Sequence, residues 1–494
     1  MDQNRKKREL ARIDALIAQG PFTDTWASLQ KWRAPAWFED AKFGIFVHWG
    51  VYSAAAFMNE WYPRNMYIPD TDEFRHHEEV MGPHSAHGYK EYIPLLTGEK
   101  FDADAWAELF AQAGARYMVS VAEHHDGFQM YRSRISEWNA AAMGPHRDIL
   151  GEMAPAARGR GLHFGVSSHR AEHWWFLGNG RRYESDITGE FPEEDLYWPS
   201  MAEPADQFDI DAQPWPSEAF LDDWLIRTCE LVDRFRPAVL YFDWWIQHLA
   251  FRPYLRKAAA YYYNVMAREG MTGIIQYKHE AYAFGCGIPD MERGQFAEAK
   301  PFLWQTDTAA CRNSWGYTLQ NVYKEPEEIL CNLADVVSKN GRLLLNVGPK
   351  GDGSMTDEET QILRAIGRWM DVNGEAIDAS RPYRVSGEGP TQAGEGMFTD
   401  NTPPAYTSED FRFTARGGCV YVIAMKASPD GVYRVKTFGM RGADGSHKYL
   451  GRVKAVTLLD GMRKADFEMK EDALEIRVGD AAVNGLPVFR LEVE

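Results

Sequence analysis

No window of this chain approaches the roughly 18 consecutive apolar residues needed to cross a bilayer, which excludes a helical membrane protein. A secretory leader is not legible either. Glu9, Arg12 and Asp14 interrupt the apolar positions after the basic start Arg5-Lys6-Lys7-Arg8. The expected location is cytoplasmic, although a leader removed beforehand would leave the same sequence. Cysteine is scarce: Cys229, Cys286, Cys311, Cys331 and Cys419 are odd in number and show no CxxC spacing. They read as reduced, buried thiols, not as a disulfide framework or a zinc cluster. Positive charge is in deficit. A net charge of −18 repels phosphate backbones and anionic membranes, so neither nucleic acid nor a membrane is an expected partner. The one basic run accompanies Leu10, Ile13, Leu16 and Ile17 at helical spacing, and reads as the solvated face of a terminal helix. GxSxG, Walker A and GxGxxG patterns are missing, which removes the commonest acyl-transfer, phosphoryl-transfer and dinucleotide readings.

Aromatic residues are plentiful, with 17 Trp, 23 Tyr and 26 Phe, and flat rings serve equally to fill a core or to stack on sugar faces. At 494 residues the chain needs more than one compact unit. Short apolar runs at 43–47, 117–121, 162–166, 238–242, 273–276, 302–305 and 343–347 alternate with amphipathic stretches, as repeated βα units do. Polar groups follow these runs: His48 the first, His124-His125-Asp126 the second, Ser167-Ser168-His169 the third, Asp243 the fourth and Lys278-His279 the fifth. Reactive groups at strand C-terminal ends predict a (β/α)8-like barrel over residues 1–380 in preference to a doubly wound sheet. The aromatic, Pro-rich segment 173–216 reads as a long βα loop at the pocket mouth, and 387–404 as a linker or loop. The period becomes two after that. Leu474, Ile476 and Val478, then Phe489, Leu491 and Val493, alternate with polar residues and predict a C-terminal antiparallel β-sandwich within 381–494.

Asp243 ends a buried strand among rings, where an ionised carboxylate needs partners such as His124, His125 or Lys278. His124 and His125 invite a metal reading, but adjacent residues on extended backbone point apart and neighbouring sequence completes no known ligand set. Hydrogen bonding to sugar hydroxyls is the preferred role. His48-Trp49-Gly50 and Glu60-Trp61-Tyr62 pair polar groups with rings on one connection, and Glu292 supplies a second carboxylate, with Trp304 and Trp315 on the following elements.

Together these segments resemble the α-L-fucosidases of glycoside hydrolase family 29, from about Trp37 to the end of the chain. The ordered motifs are 37–50, Glu60-Trp61-Tyr62, 124–128, 136–139, 144–148 and 338–349. The resemblance implies a catalytic barrel followed by a β-sandwich and removal of terminal α-L-fucose with retention. It makes Asp243 the nucleophile, with Tyr241 where the family usually has Trp. His48, Glu60, Trp61, His124 and His125 fall on fucose-contacting positions, and Trp315 on a ring against the sugar. Glu292 is the acid/base by its place in the order of motifs, with Glu172 and Glu280 as rivals. Two departures are Ser167-Ser168-His169 in place of Tyr-Tyr-Ser and Tyr277-Lys278-His279 in place of Asn-Asp-Arg, which rearrange contacts to the nucleophile or the sugar. The implied substrate is a fucosylated oligosaccharide or glycoconjugate, with no metal or organic cofactor. The alternatives are a non-hydrolytic carbohydrate-binding protein and a metal-dependent hydrolase centred on His124 and His125.

Overall fold

A computed structural model describes residues 3–478 and 485–494. Eight parallel strands close into a barrel: β1 (Phe43–Val47), β2 (Tyr117–Glu123), β3 (His163–Ser168), β4 (Val239–Phe242), β5 (Ile274–Lys278), β6 (Ile288–Glu292), β7 (Gln305–Ala309) and β8 (Leu343–Val347). The closure pairs β1 with β8, Phe46 opposite Asn346. The expected (β/α)8-like fold is present, with two corrections to its strands. The run at 302–305 is not the seventh strand, which starts only at Gln305, so Trp304 falls at the strand's beginning. The strand missing from the sequence reading is β6, Ile-Pro-Asp-Met-Glu. Two of its three inward side chains, Asp290 and Glu292, are carboxylates, so no apolar run announces it.

The side-chain period of two decides what each strand sends inward. In β4, Val239 and Tyr241 pack inside the barrel with Phe46, Val121 and Leu344, while Leu240 and Phe242 join the outer core against the helices. The interior is filled near its lower end, where a Cβ on Gly44 would come within 2.5 Å of the Tyr117 ring. A bulge breaks the alternation in β2: its register with β3 slips between Val121 and Glu123. Glu123 therefore faces outward, where its Oε1 accepts from Arg170 (2.6 Å) and Arg227 (3.3 Å), and both arginines also hold Asp223. His124 is restored to the inside.

Helices Ala103–Gln112, Ile149–Gly159, Glu218–Phe235, Arg252–Arg268, Pro326–Ser338 and Asp357–Asn373 cover the barrel. Several are started by side-chain caps: Asp102, Ser217 and Thr356 accept from the Ala105, Phe220 and Glu359 amides. The terminal helix Gln3–Ala18 is formed as expected, with Ile13 and Ile17 buried. Its basic run is not wholly solvated, however. Lys6 is buried and its Nζ binds Glu193 (3.0 Å) and the Ala219 carbonyl (2.8 Å). No helix among the described residues is long and apolar enough to cross a membrane.

The C-terminal strands are β9 (Arg381–Glu388), β10 (Phe411–Arg416), β11 (Cys419–Ala424), β12 (Val432–Val435), β13 (Val453–Leu458), β14 (Arg463–Lys464), β15 (Asp466–Met469), β16 (Leu474–Arg477) and β17 (Val488–Val493). They form a six-stranded sheet, β14-β13-β17-β11-β10-β9, and a three-stranded sheet, β12-β16-β15. Phe411, Phe413, Val422, Leu474, Ile476, Phe489 and Leu491 share the core of this β-sandwich. Barrel and sandwich meet at a buried ion cluster, where Asp335 of helix Pro326–Ser338 binds Arg412 of β10 and Lys339 (2.9 Å).

Candidate active site

Successive strands deliver one inward polar residue each to the C-terminal rim: His48 after β1, His124 after β2, His169 after β3, Asp243 after β4, Lys278 from β5 and Glu292 from β6. All but Lys278 line one cavity of about 400 Å³, and Phe46, Tyr241 and Asp307 form its floor. Glu60, Trp61, His125 and Trp315 complete the walls from the connections, so ten of the twelve site residues expected from sequence, together with Asp243's companion Glu292 among them, converge here.

Asp243 is fixed by the His169 ring, whose Nδ1 lies 2.7 Å from Oδ2. An ionised carboxylate only accepts, so His169 Nδ1–H donates, and Nε2 meets the Ser167 hydroxyl at 3.0 Å. His125 Nε2 stands 3.6 Å from the same oxygen. Burial alone would raise the Asp243 carboxyl, but His169, its hydrogen bond, Lys278 and His125 outweigh it and hold the group well below the usual carboxylate range. Glu292 is driven the other way. Burial pushes it up to about 7, with Asp307 and Asp243 adding repulsion against the opposing pull of Lys278. Trp244 Nε1–H donates to Glu292 Oε2, and Lys278 Nζ approaches that oxygen at 3.2 Å.

The remaining histidines are neutral hydrogen-bonding groups. Burial first, and then the neighbouring rings, push His48 and His124 well down, and His125 falls to about 3. Asn346 orients His48: its amide nitrogen donates to the Trp315 carbonyl (2.6 Å), leaving Oδ1 to accept from His48 Nδ1–H (2.6 Å) and His48 Nε2 as an acceptor in the cavity. His125 Nδ1–H donates to the His169 carbonyl at 3.0 Å. Glu60 works as a loop anchor as well as a wall, because Oε2 accepts from the Trp315 amide (2.8 Å) and the Ser314 hydroxyl (3.1 Å). Tyr241 offers its ring, since its hydroxyl is committed to Asp307 at 2.7 Å.

Two expected contacts lie elsewhere. Lys278 sits beneath the cavity with no exposed side-chain surface, bound to Asp290 (2.7 Å) and Asp307 (2.9 Å) as well as Glu292. It therefore tunes the carboxyl groups from behind. Trp304 is at the opposite end of the barrel, buried, with Nε1 donating to the Lys339 carbonyl at 3.0 Å. Placing its strand too early had put it on the wrong rim. Of the rival acids, Glu280 is exposed in the turn after β5, whereas Glu172 is 1% exposed in the cavity wall. Burial and the charges of Asp243 and Glu292 push Glu172 well above its ordinary value. Asn59, Gln207, Trp244, Asp307 and Phe398 also line the cavity and were not singled out from sequence. The Trp244 ring next to Asp243 carried a signal; Phe398, in the Gly- and Pro-rich stretch, carried none.

Nitrogen and oxygen atoms of His48, His124 and His169, and of His125, His169 and Asp243, cluster closely enough to suggest a cation. Both groups depend on His169, whose two nitrogens are already engaged by Asp243 and Ser167. The set with Asp243 would break the His169–Asp243 hydrogen bond, whereas the set with His48 and His124 would take His169 Nε2 from the Ser167 hydroxyl.

Comparison with known proteins finds one family and one fold. Residues 10–375 match the Alpha-L-fucosidase family. Mouse tissue alpha-L-fucosidase is 32% identical over 391 residues, 75% of this chain and 77% of its own. Human plasma alpha-L-fucosidase is 31% identical over 74% of this chain and 73% of its own. Among solved structures, Thermotoga maritima alpha-fucosidase in complex with a mechanism-based inhibitor superposes with a TM-score of 0.72 at 26% identity, covering 96% of this chain and 100% of that one. Matched to the family over residues 10–375 and about a third identical to its members over three quarters of its length, the protein belongs to the alpha-L-fucosidase family.

Proposed function

We propose that the protein is a retaining exo-glycosidase that hydrolyses terminal α-L-fucosyl residues of oligosaccharides or glycoconjugates, with Asp243 as nucleophile and Glu292 as acid/base. The observation that carries this is the divergence of two carboxyl groups in one cavity: Asp243 held ionised and Glu292 pushed up to about 7. Asp243 attacks the anomeric carbon while Glu292 gives its proton to the departing glycosidic oxygen, forming a glycosyl-enzyme ester. Ester formation removes the Asp243 charge, so the repulsion that raised Glu292 relaxes and its carboxylate becomes the base for the incoming water. Two inversions give net retention.

His48, His124 and His125 are suited to neutral hydrogen bonds with sugar hydroxyls, and Trp61 and Trp315 to stacking on the sugar's apolar face. Glu292 is preferred to Glu172 because it is 8% exposed and held by Trp244 and Lys278, whereas Glu172 is almost fully enclosed. We also read the cytoplasm as its location, on the support of five free thiols, four of them buried.

The test is Asp243→Gly assayed on an aryl α-L-fucoside with and without azide. The expected result is loss of at least about a thousandfold in turnover, restored by azide as the β-fucosyl azide. Residual activity near wild type would reject Asp243 as nucleophile, and an α-configured azide product would reject a single displacement replacing the ester.

A further inference from the structure

Beside the acid/base stand three rings that belong to separate parts of the chain. Trp244 follows Asp243, and its indole holds Glu292. Phe398, from the stretch between β9 and β10, stacks on Trp244 with centroids 5.9 Å apart and planes at 26°. Phe208, from the long loop after β3, meets Trp244 edge-on at 6.1 Å. Phe398 is 49% and Phe208 67% exposed, an unusual outlay of apolar surface at the mouth of a polar cavity.

Phe398 is held there by design of the backbone around it. Its amide donates to the Glu292 carbonyl at 2.9 Å, and the Thr399 amide donates to the Arg293 carbonyl at 2.8 Å. Gln295 and Gly396 exchange amide-to-carbonyl bonds at 3.1 and 2.9 Å, an approach so close that a Cβ on Gly294 would meet the Gly396 oxygen at 1.8 Å. Asp400 anchors the segment through Arg293 (3.1 Å) and Lys324 (2.6 Å). Phe398 itself has φ = +57°, a left-handed conformation that a bulky side chain adopts only where its surroundings impose it.

We propose that Phe398, Trp244 and Phe208 form the binding platform for the leaving group, selecting aglycones that present a flat apolar face, an aryl ring or the C–H face of a pyranose. This rests on the fucosidase reading, because it takes Glu292 to mark the side from which the leaving group departs. The platform lies on that side, and His48 and His124, which would hold the fucosyl ring, follow β1 and β2 on the other side of the barrel from β6.

The test compares wild type, Phe398→Ala, Phe208→Ala and Phe398→Trp on α-L-fucosyl fluoride, an aryl α-L-fucoside and a fucosylated disaccharide. Fluoride offers no face to stack on. Each alanine variant should lose about five- to tenfold in kcat/KM on the aryl and disaccharide substrates and stay within about twofold of wild type on the fluoride, with Phe398→Trp close to wild type throughout. Equal losses on all three substrates would overturn the platform, since Phe398 would then act through the placement of Glu292; unchanged kinetics on all three would overturn it as well. Wild type that does not turn over the fluoride at all would reject the fucosidase reading itself, and the platform with it.

Discussion

At the scale of single residues, the chemistry depends on two carboxyl groups with opposite environments. In the proposed mechanism Glu292 carries its proton to assist departure, and its value of about 7 would set the basic side of the profile. A disaccharide, with a poor leaving group, should lose kcat/KM as pH rises through about 7, because the proton to be donated is gone, while the acidic side should extend far down since Asp243 stays ionised. Glu292→Ala should abolish that basic limb and cost much more on the disaccharide than on an aryl fucoside with a good leaving group. An unshifted basic limb in the variant, read from pH profiles, would assign the acid to Glu172 instead. Asp243 was legible in sequence as a residue of the cavity because a lone Asp after four apolar residues and before two tryptophans is costly to bury unless it is used. Glu292 was legible only through the order of motifs. Its own neighbours, Asp290 and Arg293, look like an exposed charged stretch, and only pairing of β6 with β5 and β7 turns the acids inward.

At the scale of elements, the site depends on departures from regular strand geometry. The slip in β2 sends Glu123 outward to Arg170 and Arg227 and keeps His124 in the cavity. Glu123→Ala leaves two buried arginines with Asp223 as their shared acid, and should cost about 3 to 5 kcal/mol of stability in a denaturant titration. A loss within 0.5 kcal/mol would mean that the arginines find other partners. Such a bulge cannot be seen in sequence, since alternation in a fully buried strand is masked by apolar residues on both faces. The same masking hid β6 in reverse and displaced β7, which is why Trp304 was assigned to a rim it does not reach. His169 and Lys278, by contrast, were found simply from their places after strands, although only the geometry separates a residue that touches the cavity from one that lies beneath it.

At the scale of the whole molecule, the sandwich is bound into the catalytic unit. Asp335 is fully buried and depends on Arg412 from β10. Arg412→Met should lower stability by about 3 kcal/mol, because it leaves a buried carboxylate with Lys339 as its cation, and both parts should lose stability in one transition when followed by intrinsic fluorescence and far-ultraviolet dichroism. Two separate transitions with the barrel unaffected would show that the joint does not couple them. The change of period beyond the 387–404 stretch made the second unit legible, but nothing in that Gly- and Pro-rich stretch could reveal that residues 394–400 return to the barrel mouth: the contact is made largely by backbone hydrogen bonds, and the partners of Asp400 and Phe398 are remote in sequence.

The closure of the barrel has a consequence for how the protein comes into being. His48 is oriented by Asn346, and the His48 amide donates to the Val347 carbonyl at 3.0 Å, so the sugar site spans the seam between the first strand made and the last. During synthesis His124, His169, Asp243 and Glu292 emerge from the ribosome before β8 does, and Phe398 only after it. The wall around His48 is therefore completed only once the eighth strand has been made and the ring shuts, and the Phe398 side of the mouth later still.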